Sequence, residues 1–256
     1  MRIKNNKERE ALREGGKRLA TILQELSMRV VPGISTDFLN GEALKLVHRQ
    51  GDEPAFLGYT PGGAARPYPA ALCVSVNEEV VHGVPNEHPK ILREGDVVTL
   101  DMGLVHNGLV TDMAVTVPVG KVDVATARLI SAAREALTVA VAAARSKCTT
   151  GDIGAVVEAT AKRHGFSTPH ELGGHGVGRA VHEEPFIPNF GKPGTGVKLE
   201  EGMVLAIEPI IILGKSDIKL APDGFTYVTK DGSRAAQFEH TVVVTDKNPE
   251  ILTRTT

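Results

Sequence analysis

The sequence predicts an α+β fold built from two similar halves that face each other, and three observations carry that prediction. First, the chain repeats itself. The run Leu92-Arg-Glu-Gly-Asp-Val-Val-Thr-Leu-Asp101 aligns at an offset of 107 with Leu199-Glu-Glu-Gly-Met-Val-Leu-Ala-Ile-Glu208. Second, each run follows a pair of helical segments and a glycine-containing loop. Third, each run ends on a carboxylate, so two acids would meet where the halves face each other. Two units of about 110 residues are too few for a solenoid, which needs three or more. A single domain over 1–256 is expected, with halves at about 5–120 and 121–250.

The elements follow in order. Residues 5–29 read as an amphipathic helix, because Leu12, Leu19, Ile22, Leu23 and Leu26 recur at spacings of three and four. Val31-Pro32-Gly33 stops it. Ser35-Thr36-Asp37 caps a second helix that runs to about Gln50. Residues 58–70 hold too much Pro and Gly for regular structure and read as a loop. A strand is expected over 74–81, a turn at His82-Gly83-Val84-Pro85 and a strand over 97–102. His106-Asn107-Gly108 signals a hairpin, with its return strand over 110–119. An Ala-rich helix is expected over 124–147, and Thr150-Gly151-Asp152 opens another that ends near Gly165. Glycine-broken segments follow, with strands near 203–212, 225–229 and 236–245.

Composition removes several function classes. Hydrophobic residues at 41% and charged residues at 23% are ordinary for a globular protein. The 29 basic and 31 acidic residues leave a formal charge of −2, which argues against bulk electrostatic binding to nucleic acid or membrane. Aromatics at 4%, with no Trp, are too sparse for nucleobase stacking. No run approaches the roughly 18 apolar residues of a membrane span, and the charged N-terminus has no signal-peptide core. Two cysteines, Cys73 and Cys148, do not make a disulfide framework, so a reducing cytosol is the default setting.

The chemistry is carried by acids placed in apolar strands. If the hairpin turns at His106-Asn107, Asp101 and Asp112 lie directly opposite; if it turns at Asn107-Gly108, they lie diagonal. Either register puts both on one face, roughly 5–8 Å apart at Cβ. A solvent-facing placement is the plain alternative. Against it, Asp101 ends the run Val97, Val98, Leu100, and Asp112 sits among Val110, Met113, Ala114 and Val115. Glu208 is the lone charge in the run 203–213, and Glu239 precedes a Thr-Val-Val-Val strand. Buried carboxylates want a proton or a cation. His175 lies among Gly173, Gly174, Gly176 and Gly178, which forbid a stable helix, so His175 and His182 are not a helical zinc pair. Four carboxylates and an imidazole suit divalent Mn, Fe or Co better than a thiolate zinc site does. Two bridging acids would hold two such ions about 3.5–4 Å apart, the arrangement of hydrolytic two-metal sites.

Taken together, His82-Gly-Val-Pro, Asp101, Val-Thr-Asp112-Met-Ala, Gly-His175-Gly-Val-Gly-Arg, His182-Glu-Glu-Pro, Ile-Glu208-Pro and Phe-Glu239-His-Thr resemble the type I methionine aminopeptidases. The resemblance runs from about residue 5 to 250 in order and spacing. It implies a single catalytic domain of pita-bread (creatinase/aminopeptidase) fold, with a curved antiparallel sheet and outer helices. It implies removal of the N-terminal methionine from nascent proteins whose second residue is small. It also implies two divalent ions per chain, drawn from Co, Mn, Fe or Zn. Asp112 and Glu239 would bridge them, Asp101 would chelate one, and His175 and Glu208 would complete the other. Glu208 would also take a proton from the attacking water. His182 would hydrogen-bond the scissile carbonyl and His82 the scissile amide nitrogen. Tyr68, Cys73 and Phe225 fall at the expected methionine pocket.

Three departures lie near that pocket. The 59–68 loop is about six residues longer than in compact bacterial members. Val181 stands where an aromatic residue often precedes the His, and Phe225 where Trp is often found. The family's task implies nascent N-termini as partners and contact with the ribosome surface, and a monomer is expected. A proline-specific peptidase of the same fold is the alternative, although such enzymes usually carry a separate N-terminal domain. A non-catalytic binding module should lack ligands, and a metal-storage site would leave His82 and His182 without a role.

Overall fold

The computed structural model describes residues 1–255; Thr256, the end of the expected domain, lies outside the described residues. Helix α1 (Asn6–Ser27) starts where the Asn5 side chain accepts a hydrogen bond from the Glu8 N–H, and it buries its Leu12, Leu19, Ile22, Leu23 and Leu26 stripe. Helix α2 (Thr36–Arg49) is capped by Ser35, as its sequence predicts. Strands β1 (Glu53–Pro54), β2 (Cys73–Val76), β3 (Glu79–Val81), β4 (Val97–His106) and β5 (Leu109–Pro118) follow. Next come α3 (Val124–Ala143) and α4 (Thr150–His164). A reciprocal Thr149–Asp152 capping box opens α4, and left-handed Gly165 closes it. The chain continues through β6 (Gly173–Gly176), β7 (Glu183–Pro188), β8 (Val204–Ile207), β9 (Ile210–Ile212) and β10 (Ile218–Leu220). It ends with β11 (Tyr227–Thr229), β12 (Ala235–Gln237), β13 (His240–Val243) and β14 (Glu250–Ile251).

Strand pairing is antiparallel throughout these strands. Strand β4 is flanked by β1, β2 and β5, and a five-strand sheet runs in the order β14-β13-β8-β6-β7. Each helix pair seals one group of strands. Leu23 and Leu26 of α1 and Leu39 and Val47 of α2 pack on Val98, Leu100, Met102 and Leu104 of β4. Leu129, Ala133 and Ala136 of α3 share one core cluster with Leu205, Ile207 and Val242, and Ile153 and Val157 of α4 join it where α4 lies against β7. The two ends of the described chain cross between these groups. Ile3 N–H donates to Gly202 O at 2.8 Å, and Val204 N–H donates to Met1 O at 2.9 Å. At the other end, Arg9 pairs with Glu250 at 2.7 Å, and Leu252 lies so close to Gly16 of α1 that a Cβ there would strike its carbonyl.

Several expected elements are divided, each for a local reason. The 74–81 strand is two strands around Asn77, which takes φ +57° and whose side chain is tied to Val97 N–H and Asp96. The 124–147 helix stops at Ala143, because the Ser146 and Lys147 N–H groups donate to Thr245 O and Leu199 O instead. The 203–212 and 236–245 strands both break, at Glu208-Pro209 and at Phe238-Glu239. Because Gln237 pairs with Ile210 and His240 with Ile207, the two interruptions face each other. The glycine-broken segment holds β6 and β7. Its glycines let strands pack where side chains could not: a Cβ on Gly174 would strike Ala206 O, and one on Gly176 would strike Glu184 O.

Leu23 has no exposed surface, whereas Val124 is 78% exposed. Leu23→Ala should therefore cost about 2–5 kcal/mol of unfolding free energy. Val124→Ala should change it by less than about 0.5 kcal/mol. Urea midpoints of the two variants measure the contrast, and equal midpoints would contradict this packing.

Candidate metal centre

The hairpin turns at Asn107-Gly108, with φ +49° and +74°, the conformation a tight two-residue turn requires. Asp101 therefore faces Ala114 and Asp112 faces Gly103, the diagonal register. The space that a Gly103 side chain would fill is taken by the Phe56 ring, 2.8 Å from an ideal Cβ. Cys73 of β2 faces Asp101 from the other side. Glu208 and Glu239 occupy the two facing interruptions. Glu239 N–H donates to Ala114 O at 3.0 Å, so its backbone pairs with the hairpin instead of continuing β13. Thr241 Oγ1 accepts from Asp112 N–H at 2.8 Å and donates to Asp112 O at 2.7 Å, which clamps β13 to β5.

His175 comes from β6. Its Nδ1 donates to Gly176 O at 2.9 Å, leaving the Nε2 lone pair free, 4.0 Å from Asp112 Oδ2. Asp112, His175 and Glu239 each present one donor atom within 4.8 Å of the others. Asp101, Asp112 and Glu239 are buried and Glu208 half-buried. Among the described residues, no Lys or Arg pairs with any of the four. Burial pushes the Asp101 carboxyl up to about 7. Burial first, and then the neighbouring acids, push Asp112, Glu208 and Glu239 well above the ordinary carboxylate range. Burial and the nearby His182 push His175 down to about 3 and His82 down to about 4. Asp101 Oδ1 and Glu239 Oε1 are buried without a hydrogen-bond partner. Oxygen donors without partners, a free imidazole nitrogen and no cationic side chain make a donor set that fits divalent cations.

A cleft of ≈ 510 Å³ opens on this cluster, and all ten residues singled out from sequence line it: Tyr68, Cys73, His82, Asp101, Asp112, His175, His182, Glu208, Phe225 and Glu239. Its apolar end holds the Tyr68 and Phe225 rings edge to face at 5.2 Å. Val181 is buried in the same cluster, and the Arg66 guanidinium of the long loop lies over Phe225 at 4.8 Å. His82 takes φ +58°, and Gly83 behind it lies against Val74 and Ser75 of β2 with no room for a Cβ. The surrounding backbone holds His82 in this sparsely populated conformation, which sets the direction of its ring. A second groove of ≈ 980 Å³ meets the same histidines and Glu208, and runs past Glu171, Leu172, Glu184 and Phe186.

Sequence reasoning missed Phe56, Tyr59, Pro61 and Gln237. The first three line the cleft. Gln237 Nε2 donates to Glu208 Oε1 at 2.8 Å and reaches Asp101 Oδ2 at 3.4 Å, holding two acids at once. A buried amide two residues before Glu239 was the available signal.

The sequence pattern of metallopeptidase family M24 matches residues 10–246. The methionine aminopeptidase of Aquifex aeolicus is 44% identical over 253 residues, covering 97% of each chain. Methionine aminopeptidase 1 of Bacillus subtilis is 37% identical, covering 98% of each. The crystal structure of a Thermotoga maritima methionine aminopeptidase superposes with a TM-score of 0.93 at 42% identity, covering 99% of each chain. An Xaa-Pro dipeptidase of Bacillus anthracis gives 0.77 at 21% identity, with 99% of this chain covering 62% of that one, a likeness of fold alone.

The raised Asp101 carboxyl sets the sign of a pH effect on the chelator-treated protein. Unfolded, the group ionises near the ordinary carboxylate value; folded, it holds its proton to about 7. The stability it contributes is full below the unfolded value and is lost as pH rises through about 7. Relative to Asp101→Asn, the chelated wild type should lose up to about 1.4 kcal/mol per pH unit across that window. Mn²⁺ should restore it at pH 7. Thermal unfolding of both proteins from pH 5 to 7.5 tests this, and parallel curves would refute it.

Proposed function

Because the chain belongs to metallopeptidase family M24, and within it to the methionine aminopeptidases, we propose that it removes N-terminal methionine from new chains whose second residue is small. The observation that carries this reading is one cleft lined by a buried carboxylate–imidazole cluster, by apolar and aromatic side chains, and by His82 and His182. Asp112 and Glu239 would hold a pair of divalent cations (Co, Mn, Fe or Zn), with Asp101 completing one coordination set and His175 and Glu208 the other. Bound there, such cations supply Lewis acidity and make water nucleophilic at neutral pH.

The chain's own residues do the rest. Tyr68, Phe56 and Phe225 surround the methionine side chain, whose thioether is soft enough to favour aromatic contacts. Glu208, its carboxyl oriented by Gln237, takes a proton from the attacking water. His182 donates a hydrogen bond to the scissile carbonyl as negative charge develops there. His82, aimed by its left-handed backbone, holds the scissile amide nitrogen. The remaining peptide leaves along the groove past Glu184 and Phe186. The reading places the enzyme as a cytosolic monomer that meets nascent chains near the ribosome surface.

Two assays test it. Met-Ala-Ser should be cleaved readily and Met-Lys-Ser on the order of 10²-fold less well, since a long second side chain displaces the carbonyl by about 1 Å. Comparable kcat/KM for the two peptides would mean a broad aminopeptidase. His182→Ala and His82→Ala should each lower kcat by about 10²–10³ with metal content unchanged by elemental analysis, whereas Glu239→Ala should abolish turnover while remaining folded. Loss of a metal equivalent in either histidine variant would reassign that histidine as a ligand.

A further inference from the structure

Tyr59 sits in no helix or strand, yet three backbone hydrogen bonds fix its position. Its N–H donates to Phe56 O at 3.0 Å, Tyr68 N–H donates to its carbonyl at 2.8 Å, and Gly58 N–H donates to Tyr68 O at 2.9 Å. The excursion 60–67 beyond it is pinned at its far end. There Arg66 forks onto Glu87 at 2.5 and 2.7 Å, reaches Asp223 O at 3.1 Å and covers the Phe225 ring. From this fixed base the Tyr59 hydroxyl lies 2.9 Å from His182 Nδ1, with the two rings 5.4 Å apart. The His182 ring also meets the His175 ring edge to face at 4.5 Å, a contact that orients the imidazole but does not place its proton.

A neutral imidazole carries one proton, on either nitrogen. On Nδ1, it would leave a lone pair on Nε2, which repels a developing oxyanion. On Nε2, it gives the donor that the carbonyl needs. A phenol donates more readily than it accepts, because its lone pair is delocalised into the ring, and Nδ1 is the only part of His182 that Tyr59 hydrogen-bonds. Among the described residues, no side chain or backbone group hydrogen-bonds His182 Nε2, and none hydrogen-bonds the His82 ring. Tyr59 is thus the partner that can select the tautomer.

We propose that Tyr59 is a positioning residue: by donating its hydroxyl to Nδ1 it fixes His182 in the Nε2–H tautomer and turns that N–H toward the substrate carbonyl. This rests on the role given to His182 above. The ring and the hydroxyl of Tyr59 have separable tasks, since the ring lines the cleft whatever the hydroxyl does.

The test uses Tyr59→Phe, which keeps the ring, and Tyr59→Leu, which loses both. Tyr59→Phe should lower kcat on Met-Ala-Ser by about 10–100-fold, the scale measured for hydrogen-bond partners that fix the tautomer of metal-ligating histidines, with KM within about twofold. Tyr59→Leu should lower kcat similarly and raise KM as well. In a His182→Ala background, Tyr59→Phe should cost nothing further. Independently of turnover, ¹⁵N spectra of histidine-labelled protein, with His182 assigned by loss of its signals in His182→Ala, should show Nε2 protonated in the wild type and a mixture of tautomers in Tyr59→Phe. Unchanged kcat in Tyr59→Phe, a loss confined to KM, an additive loss in the His182→Ala background, or an unaltered tautomer would each overturn the proposal. An inactive wild type, or a fully active His182→Ala, would instead overturn the reading of the site on which it stands.

Discussion

Carboxylates brought within a few ångströms repel one another, and burying them among apolar strands removes the water that would screen the repulsion. Asp101, Asp112, Glu208 and Glu239 are in that position, and much of the architecture can be understood as the means of keeping them there. Hydrocarbon does the holding. The leucines of α1 and α2 join the core under β4, the alanine-rich surface of α3 faces β8 and β13, and α4 lies against α3 and β7. These layers contain no group of the site, so its repulsion is offset elsewhere in the molecule. Fixed dipoles do the local work. Thr241 clamps the Asp112 backbone, and Gln237 gives one amide to two acids. The proton-retaining state of the acids and the cation-bearing state are alternative answers to the same electrostatic problem.

At the apolar end of the cleft, the 59–68 loop and Phe225 come together. The Arg66 guanidinium, supplied by the 59–68 loop, lies over the Phe225 ring. Two of the three departures seen in the sequence therefore meet in one contact. The third, Val181, is buried in the same apolar cluster as Tyr68 and Phe225. Glu87 in turn pairs with the guanidinium.

The sequence carried more of the site than of the strand boundaries. Hydrophobic periodicity located α1 to within a few residues because its buried stripe repeats at helical spacing, and the Ser35 cap located the start of α2. The carboxylates were legible for a related reason, since each is a lone charge in an apolar run. What periodicity could not express is that Glu208-Pro209 and Phe238-Glu239 face each other as a paired break. A strand that stops pairing for two residues has the same apolar pattern as one that does not. The ladder that exposes the break is a contact between segments 33 residues apart at Ile207–His240 and 27 apart at Ile210–Gln237. Strand β6 was missed because glycine reads as a breaker, although here it admits a neighbouring backbone, and β7 because Pro185 and Pro188 argue against a strand. Tyr59 was passed over because a loop rich in Pro and Gly gave no periodic signal, and its importance depends on His182, more than a hundred residues away.

The crossing of the chain ends has a consequence for how the protein comes into being. The first residues lie along the approach to β8, while Leu252 and Glu250 close onto the flank of α1. Neither group of strands can finish its packing using its own stretch of sequence. During synthesis, α1 would emerge early and wait for partners roughly 240 positions downstream, with an unfinished flank in the meantime. Contacts of such long sequence separation slow folding and prolong the interval in which apolar surface is open to aggregation. The same lacing makes the finished molecule resist piecemeal opening: cutting one surface loop would leave the severed parts sewn together at both ends, so the nicked protein should hold its shape.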